Sequence, residues 1–249
     1  MAAAILHNQD TISAIQNALQ RYEGYELILT GHSLGAGVAC LANIQCHYDN
    51  RFPSTQIRCF GFASPPVFAA KDGTMNFTNI RVRMAIDNAT CYIHEDDCVP
   101  FLGADSVRQL AFVINKLHEE DHKVSVLDRW RMASGKMTPT ESIVNVVVHG
   151  ADGMPSLGVG GAIRLYIPAK TVLWMYKTTS SDGVGSAVIV DPEGFSAQYS
   201  DPTRLAALNI LLSPDMISDH MPAMYERALY AVFRTNLLSK KKAPETGNE

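Results

Sequence analysis

The stretch Thr30-Gly31-His32-Ser33-Leu34-Gly35-Ala36-Gly37, TGHSLGAG in one-letter code, decides how the chain is read. A serine stands with a glycine two residues before it and another two after it, the spacing of a sharp strand-to-helix turn that holds a hydroxyl out from a sheet edge. The flanks fit such a turn. Before it, YELILTG runs Leu27, Ile28 and Leu29 together as a short strand expected to be buried. After it, Ala36 to Tyr48 is rich in small residues and compatible with a helix, and Pro53 closes the unit. Gly31 and Gly35 are expected where any Cβ would collide with the neighbouring strand or helix. The N–H of Leu34, at the positive end of the helix, is the candidate donor to an oxyanion.

A serine hydroxyl attacks a carbonyl only when an imidazole takes its proton, and the imidazole in turn needs a carboxylate to orient it. With this type of turn the chain order is serine, then an acid at the end of a later strand, then a histidine near the C-terminal end. IRCFGFASPP and ATCYIHEDDCVP are the next two strand candidates, and strands alternating with helices imply a mostly parallel sheet. The segment HEDDCVP offers Glu95, Asp96 and Asp97. If the strand persists, Asp96 and Asp97 face opposite sides and one of them is simply solvated, so alternation alone leaves the choice open.

Eight histidines are available. His7 and His47 have no supporting context, His118 and His122 sit in a charged helical stretch, His149 lies in a long helical insertion, and His94 precedes the acid candidates. His32 is expected to point away from Ser33 across the turn. His220 lies just before the terminal helical stretch, has the required chain order, and is the candidate base.

Taken in order, ELILTGHSLGAGVA, GFASPP, HEDDCVP and DHMPAMYERAL resemble a class 3 lipase, the fungal-lipase-like branch of the α/β-hydrolases that includes diacylglycerol lipases. The likeness spans roughly residues 10–103 and, more loosely, 163–233. It implies an α/β-hydrolase-like, mostly parallel sheet flanked by helices, and hydrolysis of acylglycerol esters without a metal or organic cofactor. It implies Ser33 as nucleophile, Asp97 as the acid because it stands two residues before Val99, and His220 as the base, in an S-D-H-x-x-x-x-Y pattern ending at Tyr225. Two rival readings use the same residues: a catalytically impaired lipase-like protein that binds lipid or a partner, and a phospholipase or acyltransferase with the same triad.

The family carries several strands before the serine turn, with a loop supplying a second oxyanion donor and a lid helix. MAAAILHNQD and the helix expected from Asp10 to Gln20, stopped near Gly24, leave no room for them. The expectation is therefore an N-terminally truncated, partial domain over residues 1–238, whose strand Tyr25 to Thr30 exposes an edge for a partner chain to cover. A helical insertion is expected at about 104–160, between the acid and base strands, clearest in VRQLAFVINKLHEE and able to form a lid or membrane-facing cap. Sheet character returns in AIRLYIPAKTVLWMYK and AVIVDP, followed by DPTRLAALNILL, a last helical stretch from Pro222 to Leu238, and a disordered tail at 239–249.

Composition removes other classes. The formal net charge is -4, and apart from Lys240, Lys241 and Lys242 there is no basic stripe for nucleic acid. Apolar runs such as Leu110 to Ile114 are far shorter than a membrane span, and the N-terminus lacks the pattern of a secretory signal, so a cytoplasmic protein or one in peripheral contact with a membrane is expected. Five cysteines without metal-ligand spacing read as buried free thiols, and no metal site is expected.

Overall fold

The computed structural model describes residues 1–70, 76–121, scattered positions between 125 and 146, 165–177, 195–200 and 213–242. AVIVDP and DPTRLAALNILL lie outside these residues, as do His122 and His149. The chain divides into two compact units, Met1–Gly103 with Leu165–Glu249, and Ala104–Arg164. Helix α5 (Ala104–Asp121) opens the second unit, where Lys116 Nζ lies 4.9 Å from the centre of the Phe112 ring.

In the first unit, helices α1 (Ala2–His7) and α2 (Gln9–Arg21) precede strand β1 (Leu27–His32). The Asn8 side chain caps α2 by accepting from Thr11 N at 2.8 Å, and Gly24, at φ 81°, lies in the turn that follows. The apolar stripe Ile12, Ile15 and Leu19 packs with Leu6, Ala42, Cys46, Phe52 and Ile57. Helix α3 (Leu34–Tyr48), strand β2 (Ile57–Phe62), helix α4 (Ile80–Asp87) and strand β3 (Ala89–His94) follow. Strands β4 (Thr171–Lys177) and β5 (Phe195–Ser200) and helix α6 (Pro222–Lys242) complete it. Since α6 runs to Lys242, residues 239–242 are helical, not part of a tail.

The five strands lie in the order β1-β2-β3-β4-β5, parallel up to β4, with β5 antiparallel to β4. The sheet is thus mostly parallel and flanked by helices. On one face, α3 lays Ala39 and Cys40 over Cys59, Ala89, Cys91, Ile93 and Val172. On the other, α6 lays Tyr225, Ala228, Ala231 and Val232 over Ala63 and Met175. A Cβ on Gly61 would lie 2.8 Å from Sγ of Cys91 on the neighbouring strand and 3.5 Å from Cβ of Ala36 on α3, so glycine there leaves room for the thiol beside it.

Strand β1 departs from its expected burial. It pairs with β2 alone among the described strands, and Ile28 is 53% exposed while Leu27 and Leu29 pack against the α1–α2 side. An edge position explains this, because α6 covers the sheet around Phe62, Tyr92, Leu173 and Met175. No helix among the described residues is long and apolar enough to cross a membrane.

All five cysteines are free, and four are buried. Cys40 Sγ lies 3.8 Å from both Cys91 Sγ and Cys59 Sγ. Contact with Cys40, then burial, pushes the Cys59 and Cys91 thiols up, and burial pushes Cys46 up to about 11. Only Cys98 is partly exposed, and burial followed by the Asp97 charge raises it too. A thiol-specific reagent at neutral pH should therefore titrate at most one group slowly in the native chain and all five after denaturation. A titre below five under denaturing, non-reducing conditions would show disulfide pairing instead.

Candidate active site

Three strands end beside one another, and each is followed at once by a non-glycine residue in the left-handed region: Ser33 (φ 56°) after β1, Ala63 (φ 54°) after β2 and Glu95 (φ 44°) after β3. Such residues cost of order 1–3 kcal/mol each and persist only where surrounding structure holds them. At Ser33 the backbone N–H donates to Phe62 O at 2.9 Å, and Ser33 O accepts from Ala36 N and Gly37 N at 2.9 and 3.3 Å. At Glu95 the N–H donates to Met175 O at 2.8 Å, and its carbonyl accepts from Trp174 Nε1 at 3.0 Å. Both turns are tied to the adjacent strand.

The glycines flanking Ser33 are not equivalent. A Cβ on Gly31 would lie 2.2 Å from the backbone oxygen of Gly35, so the strand and the first turn of α3 can meet only if residue 31 is glycine. A Cβ on Gly35 would meet nothing within 4 Å, which corrects the expectation of a collision there: the close approach belongs to the backbone of residue 35, not to its side. We expect Gly31→Ala to destabilise the fold by more than about 3 kcal/mol. Gly35→Ala should leave it unchanged or raise it by up to about 1 kcal/mol, since glycine is a poor helix residue. Thermal denaturation of the two variants checks this, and equal melting temperatures would contradict it.

Ser33, Asp97 and His220 come together. His220 Nε2 lies 2.9 Å from Ser33 Oγ, and His220 Nδ1 lies 3.0 and 3.1 Å from Asp97 Oδ1 and Oδ2. A carboxylate only accepts, so the ring proton belongs on Nδ1 and leaves Nε2 free to accept from the serine hydroxyl. Asp97 is fully buried, at 0% exposure. Its Oδ1 also accepts from Val99 N at 2.9 Å, and its Oδ2 accepts from the Tyr225 hydroxyl at 2.6 Å. Burial, then the Asp97 charge, pushes the Tyr225 phenol well above its ordinary value, so it stays a donor.

Asp96 is not part of this chain of bonds. Its N–H donates to Asp219 Oδ2 at 3.2 Å. Glu95 contributes its backbone to the turn as described. Leu34 is the first residue of α3, directly after Ser33, whose backbone oxygen takes the N–H groups of Ala36 and Gly37. The Leu34 side chain is exposed, as are Ile217 and Met221 near His220.

His32 corrects the expectation that it points away. Its Nε2–H donates to the backbone oxygen of His220 at 2.8 Å, and the two imidazole rings lie 4.7 Å apart. Alternation along β1 describes the strand alone; the segment carrying His220 folds over the end of the strand and brings a backbone acceptor within reach. Tyr225 was visible in the S-D-H-x-x-x-x-Y pattern, but its bond to Asp97 was not readable, and Asp219 gave no signal beyond its place beside His220. Among the described residues no group of three or more His, Cys, Asp or Glu could hold a metal ion.

A parallel sheet whose first strand delivers a serine through a strained turn into a helix is α/β-hydrolase-like. Residues 1–106 match the family model Lipase (class 3), so the resemblance seen in the sequence is recovered over that stretch. Solved structures similar to the chain include the mono- and diacylglycerol lipase of Aspergillus oryzae, at 22% identity over 42% of this chain and 35% of that one, with a TM-score of 0.33. Another described as a fungal lipase is 30% identical over 41% of this chain and 34% of its own, with a TM-score of 0.33. A native lipase–propeptide complex of Rhizomucor miehei is 19% identical over 40% and 30%, with a TM-score of 0.33. The chain thus spans about a third of the length of each. Comparison with curated proteins gives no match.

Proposed function

We propose that the chain carries the triad of a serine ester hydrolase acting on acyl esters of glycerolipids. The observation that carries this reading is the continuous hydrogen-bond chain from Ser33 Oγ through His220 to a fully buried Asp97. In the reaction His220 Nε2 takes the hydroxyl proton as Ser33 Oγ bonds to the substrate carbonyl carbon, and the carbonyl oxygen gains the negative charge. The Leu34 N–H meets that charge, helped by the positive end of α3. The proton on Nε2 passes to the departing glycerol oxygen as its bond to the acyl carbon breaks. Water then repeats the sequence on the acyl-enzyme, releasing a fatty acid and restoring Ser33. Asp97 holds the Nδ1–H and stabilises the imidazolium in both halves.

A lipid acyl donor is supported by the exposed Leu34, Ile217 and Met221, which flank the reacting side chains in sequence and offer apolar surface where an acyl chain leaves a lipid aggregate. The open side of β1, with Ile28 half exposed, supports an added strand from a partner chain at that edge. Hydrolysis of mono- and diacylglycerols, measured beside phospholipids and with water beside alcohol as acceptor, tests the substrate class. Release of fatty acid from neutral glycerides in water is expected; turnover of phospholipid alone, or transfer to alcohol alone, would move the assignment to the corresponding rival.

A further inference from the structure

The segment bearing the base and the segment bearing the acid meet twice. Asp97 accepts from His220 Nδ1, and the residues beside them form a second contact running the opposite way, in which Asp219 accepts from the N–H of Asp96. We infer that Asp219 is a positioning residue for the proposed hydrolase triad, clasping the acid turn so that Asp97 and His220 stay in register; this rests on the hydrolase reading above.

Asp219 is 6% exposed, and a carboxylate is not left that far from water without partners. Its Oδ2 lies 3.2 Å from Asp96 N, and its Oδ1 lies 3.7 Å from Nδ1 of His94, itself at 0% exposure. Burial raises the Asp219 carboxyl from its ordinary value, while the Asp96 N–H and the His94 ring act in the other direction. The clasp needs only an acceptor oxygen, which the carboxyl offers in either protonation state.

The geometry shows why the acid turn needs the clasp. Its first residue, Glu95, sits at φ 44°, outside the conformation most side chains prefer, and its N–H is held by Met175 O. The next N–H, that of Asp96, reaches across to Asp219. Only then does the chain reach Asp97, whose N–H returns to His94 O at 3.0 Å. Asp219 therefore holds the middle of the turn, and it is joined covalently to His220. Because residue 96 pairs with residue 219 and residue 97 with residue 220, in the same order along both segments, a slip of either segment by one residue breaks both bonds together. His94 closes the set, since its backbone N–H donates to the Tyr225 hydroxyl at 3.1 Å and that hydroxyl donates to Asp97.

The test compares Asp219→Ala and Asp219→Asn with the unaltered chain. With the clasp lost, a shift of the acid turn of order 1 Å should lower kcat for ester hydrolysis by about 10²-fold in Asp219→Ala, with KM within about twofold. Asp219→Asn keeps an oxygen to accept from Asp96 and should regain most of the rate. A downfield proton resonance of His220 Nδ1–H is expected in the unaltered chain; it should vanish in Asp219→Ala and return in Asp219→Asn, and amide exchange at Asp96 should speed up in the first variant alone. If Asp219→Ala fails to fold, Asp219→Ser, with a hydroxyl too short to reach Asp96, carries the same readouts. Unchanged kcat, resonance and exchange in a folded variant would overturn the clasp. An equal loss of rate in both variants would overturn it as well. If the unaltered chain itself hydrolyses nothing, the hydrolase reading has failed separately, and the resonance and Asp96 exchange decide the clasp alone.

Discussion

Ser33→Ala should reduce ester hydrolysis by on the order of 10⁶-fold in kcat, with KM little changed and the melting temperature unchanged or slightly lowered. The size of the effect follows from what the hydroxyl does: without it there is no atom to form the acyl-enzyme, and the remaining helix N–H groups and bound-substrate orientation give only residual catalysis over water. The sign of the stability effect follows from the backbone. Ser33 is held at φ 56°, and alanine relieves none of that strain and loses only the bond to His220 Nε2, at a partly buried position. Assays of purified variant and unaltered chain on one emulsified diacylglycerol, with circular dichroism melts, measure both. A rate loss of tenfold or less would remove Ser33 from the chemistry.

Asp97→Asn should cost about 10⁴-fold in kcat while the protein stays folded. The amide can place its oxygen where Oδ1 accepts from Val99 N, and its NH2 group where Oδ2 faces the Tyr225 hydroxyl, which can turn to accept. That NH2 group then lies beside Nδ1 of His220, in the place of an oxygen 3.1 Å away. The amide oxygen, at the Oδ1 position 3.0 Å from Nδ1, can still accept the ring proton, but the NH2 group competes for the same nitrogen and favours the tautomer with the proton on Nε2, which cannot accept from Ser33. The imidazolium formed during attack also loses the carboxylate charge. Burial at 0% exposure makes the loss large, because no water can replace the missing charge. Asp96→Asn, one residue earlier and bonded through its backbone alone to Asp219, should keep kcat within a few-fold, and parity between the two variants would contradict the assignment.

The serine turn was legible because its constraint is local: eight residues contain both the glycine that backbone contact demands at position 31 and the hydroxyl it presents. The acid was legible as a segment and not as a residue. Alternation could not separate Asp96 from Asp97, since β3 ends at His94 and Glu95 breaks the pleat at φ 44°, so only the resemblance pointed to Asp97. Helix α4 was missed although Asn79 caps it through Arg81 N and Val82 N, because only Val82, Ala85 and Ile86 of its eight residues are buried and the apolar stripe is short. The burial expected for Ile28 failed for the opposite reason: an apolar run signals a strand, but its place at the centre or edge of a sheet depends on partners elsewhere in the chain. His32 and Asp219 could not be read at all, as each acts on a backbone group from a segment distant in sequence.

The most direct test of the account is the site and rate of phosphonylation by a long-chain fluorophosphonate, read by mass spectrometry of the digested protein. The account predicts a single adduct on Ser33, absent from Ser33→Ala and formed far more slowly in Asp97→Asn. No adduct on the well-folded chain, or an adduct on another residue at an undiminished rate in Ser33→Ala, would contradict it.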